Sequence, residues 1–371
     1  MSREILGLIP QQRKEQYRIK SLVEIVRKGE LLVVVGDVSA EALVSSGVIL
    51  RALRTLGIDF EFYLAVDPVD FSQLNNKVIG VEAYIQNCVG CLELAELRSK
   101  KHSQHVFHVV LDLVRELVTL SREEYTLLLS SALTKYTPRS LASNLSQEVQ
   151  ELVSNMESSG ILREVVAPKL IGWGSMPLED VVRYSVDTCV LKYFGKPVSK
   201  VTESDIAREL KVESLKSLED RTYVPNYDAG IMDLYEAAYI IEYATDVEGP
   251  EYTAFMPLNY DYFLWAIRTF RESVESIRKC IDSFLEKRFE REGPFYTIEC
   301  DSEASGTVVT KILRGLKLIE ENAVVVHRVA GEFYVPIQTL TRTQKIKLAG
   351  SRIEGGYAVV DSGTLAKIQR A

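Results

Sequence analysis

The sequence lacks the apolar runs that membrane insertion and secretion require. No stretch reaches the length of a membrane span, and Arg3, Glu4, Arg13 and Lys14 lie where a signal peptide would have its apolar core. We therefore expect a globular protein in the cytoplasm, with no membrane partner.

Cysteine is also scarce. Five cysteines are scattered over 371 residues, and an odd, dispersed set does not indicate a disulfide framework. Cys88 and Cys91 form an isolated Cys-x-x-Cys pair, which favours structural thiols over a zinc or redox site. Spacing gives Cys189, Cys280 and Cys300 no partner.

Several signatures of nucleotide binding and catalysis are missing. The chain has no P-loop, no Gly-x-Gly-x-x-Gly fingerprint and no Gly-x-Ser-x-Gly elbow. The formal net charge of −8 argues against a protein that coats nucleic acid by charge alone, because affinity for phosphates depends on Lys and Arg. Any contact with DNA must therefore be local.

Basic residues do gather near the C-terminus. The candidates for a weak contact with single-stranded DNA are Arg342, Lys345, Lys347 and Arg352. The simpler alternative is a solvated, charged face.

What is present is an alternation of strand and helix patterns. The apolar run from Leu31 to Val35 predicts a buried parallel strand, and residues 40–56 predict a helix closed by Gly57. Further alternation through residue 133 favours a doubly wound, mostly parallel α/β sheet. The loop after the first strand lies at a strand's carboxyl end, where such sheets bind ligands.

This loop resembles the first motif of the DHH phosphoesterase superfamily, most closely its RecJ-like branch. Where that motif has a His and two Asp ligands, this sequence has Asp37, Ser39 and Glu41. A two-metal centre needs several carboxylate and imidazole ligands held together. The resemblance therefore implies a retained fold with vestigial motif positions, no catalytic residues and no metal.

The later motifs are degenerate too. Glu82 ends a predicted strand at 77–82 and stands where the family would offer a second-motif Asp. No Asp-His-His tripeptide occurs, and the segment 130–139, which resembles the fourth motif, contains no acid. Lys135 in that segment would repel a divalent ion.

Two further segments extend the resemblance along the chain. Residues 176–187 look like a segment of archaeal RecJ-like proteins, and Gly355, Gly356 and Tyr357 are similar to the Gly-Gly-His signature of the DHH-associated domain, with Tyr in place of His. The resemblance implies four parts: a DHH-like α/β domain (1–170), a helical, Tyr- and acid-rich region (171–257), a connector helix (258–292) and a smaller DHH-associated-like α/β domain (293–371).

Two clusters leave alternatives open. Residues 220–262 alternate Tyr with acids, which suits either a protein docking surface or, more simply, a packed helix followed by an acidic loop. His102, His105 and His108 could share a helical face as metal ligands, although histidines at the polar start of a helix are ordinarily solvated.

The members of this superfamily that keep the fold and lose the ligands are similar to the replication factor CDC45, with archaeal RecJ-like counterparts. That resemblance implies a non-enzymatic subunit of the replicative helicase complex (CMG) in DNA replication, which binds GINS and MCM and contacts single-stranded DNA weakly. One alternative is a weak manganese-dependent single-strand exonuclease or small-phosphoester hydrolase that uses Asp37, Glu41 and Glu82. Another is a ligand-sensing module that keeps the phosphate cleft.

Overall fold

A parallel sheet organises the N-terminal part of the protein. The structure is a computed structural model that describes residues 23–24, 26–27, 29, 32–64, 69–70, 77–82, 85–86, 91–94, 105–136, 145–168, 170–173, 176–186, 200–300, 303–348 and 350–369. The strands of this part are β1 (Leu32–Gly36), β2 (Phe60–Leu64), β3 (Val69–Asp70), β4 (Lys77–Val81), β5 (Ile85–Gln86) and β6 (Leu92–Glu93).

The strand order explains where a ligand site would lie. Within the described residues, four strands pair in parallel in the order β2-β1-β4-β6, while β3 pairs with β5. The chain leaves β1 toward β2 on one side and returns to β4 on the other, so the carboxyl end of β1 is a topological switch point. Leu32, Val33 and Val34 are fully buried, as expected for a strand covered on both faces. The predicted doubly wound sheet is confirmed.

Helices cover this sheet, and their ends follow local sequence signals. They are α1 (Ala40–Thr55), α2 (Phe107–Arg115), α3 (Arg122–Leu133) and α4 (Gln147–Ser158). Ser39 caps α1 and Gly57 follows its end at φ +70°, while Ser121 and Glu124 form a capping box at the start of α3.

The middle of the chain combines helices with a strand pair that the sequence patterns did not predict. Its elements are β7 (Leu162–Pro168), α5 (Leu178–Tyr184), α6 (Glu203–Glu209), β8 (Glu219–Pro225), α7 (Leu234–Val247) and α8 (Pro250–Phe255). β7 and β8 pair antiparallel across a long sequence separation. The region predicted as helical from 171 to 257 thus contains a strand, because irregular exposure along both strands hides the two-residue period.

Helix α7 lies at the centre of the molecule. It contacts α3, α8 and two later helices, and almost every one of its side chains is buried. Tyr235, Tyr239 and Tyr243 are therefore core residues. The simpler interpretation of this part of the Tyr- and acid-rich segment, a packed helix, is correct.

A long helix, α9 (Asp261–Leu285), follows, and it ends earlier than the connector helix predicted over 258–292. Lys287 takes a left-handed conformation at φ +60°, and β9 (Phe289–Glu292) then pairs with the next strand. Gly293, at φ +56°, turns the hairpin that follows β9.

The C-terminal part is a smaller α/β domain, as predicted. It comprises β10 (Phe295–Glu299), α10 (Gly306–Gly315), β11 (Val324–Val329), β12 (Glu332–Pro336), α11 (Arg342–Ile346), β13 (Arg352–Glu354), β14 (Tyr357–Val360) and α12 (Ser362–Gln369). With β9 it forms a six-stranded sheet, β13-β14-β12-β11-β10-β9, in which β10 and β11 are parallel. In the described part of the chain, no helix combines the length and the apolar character needed to cross a bilayer.

Candidate functional site

Residues predicted as vestigial motif positions meet at the switch point of the parallel sheet. Asp37 and Ser39 follow β1, and the Asp37 backbone N–H donates to the Val81 carbonyl at 3.2 Å. Glu82 follows β4 in a left-handed conformation, and the Ser39 hydroxyl donates to its carboxylate at 3.3 Å. The structure thus brings together two loops that are far apart in the sequence.

Glu41, in the first turn of α1, is buried and holds the start of another helix. Its Oε1 accepts the backbone N–H groups of Val106 (2.6 Å) and Phe107 (3.2 Å), where α2 begins. Its Oε2 lies 3.1 Å from Nδ1 of His105 and 2.5 Å from Nζ of Lys135. A carboxylate at a helix N-terminus satisfies N–H groups that have no partner within the helix.

The electrostatics of Glu41 agree with this structural role. Burial alone would raise its pKa, but the hydrogen bond with His105 and the charge of Lys135 outweigh burial and lower the pKa to about 2. The carboxylate is therefore ionised at neutral pH and bound by protein donors.

Asp37 is also ion-paired, and its partner comes from the other end of the chain. Lys345 of α11 places Nζ 3.2 Å from the Asp37 carboxylate, and the lysine side chain is only 10% exposed. The neighbouring Val38 is fully buried and packs in the hydrophobic core of the C-terminal domain. The motif loop is thus held between the two domains.

These residues do not fit a divalent metal centre. Both oxygens of Glu41 are engaged by protein donors, and ammonium groups lie against Glu41 and Asp37. The ammonium of Lys135 lies against the Glu41 carboxylate, and its positive charge there would repel a divalent cation.

The basic residues near the C-terminus differ in exposure and pairing. Lys345 faces Asp37, whereas Arg352 is about half exposed and pairs with Glu332 at 2.7 Å and Glu354 at 2.9 Å. Lys347, at the end of α11, is exposed. Arg342 begins α11, and its side chain lies outside the described residues.

The C-terminal Gly-Gly-Tyr signature forms a close contact with the central helix. A Cβ added at Gly355 would lie 2.6 Å from the Asp246 carbonyl oxygen, and one at Gly356 would lie 2.1 Å from that of Thr245. The Gly356 backbone N–H donates to the Asp246 carbonyl at 2.7 Å. Tyr357 accepts the N–H of Gly306 at 2.8 Å, so its hydroxyl caps α10.

Sequence reasoning missed a set of buried charges between α7 and the C-terminal domain. The Asp246 carboxylate accepts from the hydroxyls of Ser305 (2.6 Å) and Thr307 (3.0 Å) and from the Gln338 amide (2.5 Å). One turn earlier, Glu242 pairs with Lys311 of α10, with its two carboxylate oxygens at 3.1 and 3.0 Å from Nζ. The sequence did carry a signal for these contacts. Glu242 and Asp246 are four residues apart on a helix that is also rich in buried tyrosines, and buried acids need polar partners.

Two of the three histidines considered as metal ligands lie in the described part of the chain. His105 faces Glu41 and Tyr136, whereas His108 pairs with Asp112 at 3.6 Å. These two histidines therefore do not converge, and His102 lies outside the described residues.

Two cysteines that spacing left unpaired are joined in the structure. A disulfide connects Cys280 to Cys300, and Cys91 is also disulfide-bonded. Cys88 and Cys189 lie outside the described residues. The pairing of Cys280 with Cys300 depends on how α9 packs on the C-terminal sheet, which spacing does not reveal.

The sheet order and the two-domain plan define an α/β fold with a parallel sheet in the N-terminal part and a mixed sheet in the C-terminal part. No protein-family profile and no curated sequence matches the chain. Among solved structures, CDC45 from Entamoeba histolytica matches with a TM-score of 0.54 and 10% identity, over 95% of this chain and 97% of that chain.

Two RecJ structures match less well. RecJ from Thermus thermophilus in complex with Mn²⁺ has a TM-score of 0.43 and 12% identity, over 96% of this chain and 54% of that one. Exonuclease RecJ bound to manganese has a TM-score of 0.44 and 14% identity, over 95% and 93%. The chain therefore has a fold similar to that of CDC45.

Proposed function

We propose that this protein is a catalytically inactive DHH-fold replication factor, a CDC45-like subunit that binds GINS and MCM in a replicative helicase. The observation that carries the proposal is the ion pairing of the motif loop, Glu41 with Lys135 and Asp37 with Lys345. A metal ion here would have to displace two ammonium groups and the backbone N–H donors of Glu41. The identity of the partners rests on the motif resemblance.

The contacts around the loop suit a scaffold. Asp37 and Val38 join the first domain to the C-terminal domain by an ion pair and by apolar packing. Glu242 and Lys311 add a buried ion pair at a second place. The Asp37 carboxylate, which would bind a metal ion in an enzyme, here fixes one domain against the other, and this favours a subunit that presents a constant surface to its partners.

Co-purification tests the proposal. The tagged protein is isolated from its native cell in the presence of nuclease, and the co-purifying proteins are quantified by mass spectrometry. We expect near-stoichiometric GINS, with MCM in smaller amount, because nuclease removes bridging DNA. Recovery of the protein without GINS, together with no binding to purified GINS, would contradict the assignment.

The enzymatic alternative is tested separately. Wild type, Glu41→Ala and Glu82→Ala are incubated with labelled single-stranded DNA and manganese. We expect the same background with all three proteins. A manganese-dependent loss of substrate that Glu82→Ala abolishes would refute catalytic inactivity, and this variant keeps the buried Glu41 network intact if Glu41→Ala misfolds.

A weak contact with single-stranded DNA is the remaining part of the proposal, through Arg342, Lys345, Lys347 and Arg352. The exposed Lys347 can reach a phosphate without breaking the Asp37 pair. We expect Lys347→Ala to lower the affinity and to reduce the salt dependence by about 0.7, the slope of one phosphate contact on a single strand. Fluorescence anisotropy over a salt series measures both, with Lys216→Ala as the exposed control. Unchanged binding in Lys347→Ala and in the Arg342, Lys345 and Arg352 triple Ala variant would remove the contact.

A further inference from the structure

Three potential metal ligands converge where α9 meets the C-terminal sheet. Cys280 lies on α9, Cys300 directly follows β10, and His327 lies on β11. β10 and β11 are parallel, with Ile298 opposite His327. Because side chains alternate along a strand, Cys300 lies on the same face as Ile298, toward α9. The two sulfur atoms and a ring nitrogen lie within 4.8 Å of one another.

His327 has an unusual environment for a histidine. It is fully buried, and neither ring nitrogen has a hydrogen-bond partner among the described residues. Burial lowers its pKa to about 4, so the ring is neutral at physiological pH. A buried polar atom left without a partner costs about 1–3 kcal/mol. A neutral imidazole beside two sulfur atoms offers the lone pair that a metal ion would use.

The disulfide in the structure satisfies only the sulfur atoms. It joins Cys280 to Cys300, whose Cα atoms are 5.3 Å apart, and it leaves both His327 ring nitrogens without a hydrogen-bond partner in the described part of the chain. A dithiol reductant would break the S–S bond with two electrons and two protons, forming two protein thiols and its own disulfide. A divalent metal that then binds both sulfurs displaces the two thiol protons to solvent.

We propose that Cys280, Cys300 and His327, once the cysteines are reduced, form a binding site for Zn²⁺ that ties α9 to the C-terminal sheet. Thiolate and imidazole ligands select zinc over ions that prefer oxygen ligands, such as Mg²⁺ and Mn²⁺. Three protein ligands leave one coordination position for a small ligand such as water. This candidate site is separate from the motif loop and independent of the proposed helicase role.

Metal titration of the full-length protein tests the proposal. The chain is reduced and freed of reductant without oxygen, and it is then titrated with Co²⁺ as a spectroscopic probe and with Zn²⁺ in competition. We expect one ion per chain at this site, with a sulfur-to-cobalt charge-transfer band that Zn²⁺ removes. His327→Ala and Cys300→Ser should each weaken binding by about 100-fold or more, since loss of a supporting partner alone costs 10–100-fold.

Controls separate this site from other thiols. Cys189→Ser should bind like wild type, and the oxidised protein should show no charge-transfer band from this site. Ions held by other cysteines persist in His327→Ala and are subtracted, while circular dichroism verifies folding of each variant. Reduced wild type that takes up no more metal than the Cys280→Ser, Cys300→Ser double variant, or His327→Ala that binds as tightly as wild type, would overturn the proposal.

Discussion

Glu41, which the motif resemblance places at a ligand position, joins α1 to α2 through its carboxylate. Its two oxygens accept the first N–H groups of α2 and contact His105 and Lys135. Removal of the Glu41 side chain would leave the buried N–H groups of Val106 and Phe107 without this acceptor. At the scale of single residues, stability should therefore depend strongly on Glu41.

We expect Glu41→Ala to lower the free energy of unfolding by about 3–5 kcal/mol, the usual range for breaking a buried ion pair. Lys135 is 39% exposed, so most of the loss should come from the N–H groups of α2 and from His105. Urea unfolding followed by circular dichroism measures the change. The exposed Glu213→Gln should differ from wild type by less than about 0.5 kcal/mol, and an equally small effect for Glu41→Ala would contradict the structural role.

The lowered pKa of Glu41 also predicts a pH dependence. Because its pKa falls from 4.5 when unfolded to about 2 when folded, its contribution is fully present above about pH 4.5 and is lost as the pH falls toward 2. This contribution is on the order of 3 kcal/mol. Unfolding free energies of wild type and Glu41→Gln should therefore differ most near neutral pH and approach each other as the pH falls to about 2. A gap that stays constant with pH would argue against an ionised Glu41.

At the scale of elements, the turn before β14 packs closely against the end of α7 because its two residues, Gly355 and Gly356, have no side chains. Gly355 has φ +57°, and its missing Cβ would lie 2.6 Å from a backbone oxygen of α7. Gly293 has nearly the same conformation, φ +56°, but no atom within 4 Å of the corresponding position. A comparison of alanine substitutions at these two glycines therefore distinguishes the cost of backbone strain from the cost of steric contact.

We expect Gly293→Ala to cost about 1–2 kcal/mol, the penalty of a left-handed conformation. Gly355→Ala should cost roughly 1–3 kcal/mol more, because the added methyl group forces α7 and the turn apart. Chemical denaturation of both variants measures the difference. If both variants lose the same free energy of unfolding, the close approach of the turn to α7 adds nothing to the cost of the Gly355 substitution.

At the scale of the whole molecule, buried polar contacts connect the domains. Lys311 of α10 donates to Glu242 of α7 and, at 2.8 Å, to the Thr134 carbonyl at the end of α3. Burial raises the pKa of Glu242 and lowers that of Lys311, and their mutual attraction opposes both shifts. One side chain thus links three parts of the chain.

We expect Lys311→Ala to destabilise the protein by about 3–5 kcal/mol, because it leaves the Glu242 carboxylate buried and unpaired. Adding Glu242→Gln should recover part of that loss, since the uncompensated charge is then gone. A double-mutant cycle from thermal or urea unfolding measures the coupling. Additive losses would contradict a direct interaction, and the exposed Lys216→Ala is the control.

The sequence by itself determined the local elements. The apolar run of β1, the capping box at Ser121 and the glycine after α1 act over a few residues, so their structures were predictable. Through the motif resemblance it also predicted that Asp37, Ser39 and Glu41 form a degenerate ligand set.

Only the tertiary structure decided what these residues do instead. Asp37 pairs with a lysine 308 positions later, and Glu41 binds a histidine 64 positions later. Hydrophobic periodicity reports which face of an element is buried, but it does not report which element lies opposite. Ion pairs between domains, the junction of β7 with β8 and the meeting of Cys280, Cys300 and His327 all depend on that packing, because each joins segments that only the folded chain brings within bonding distance.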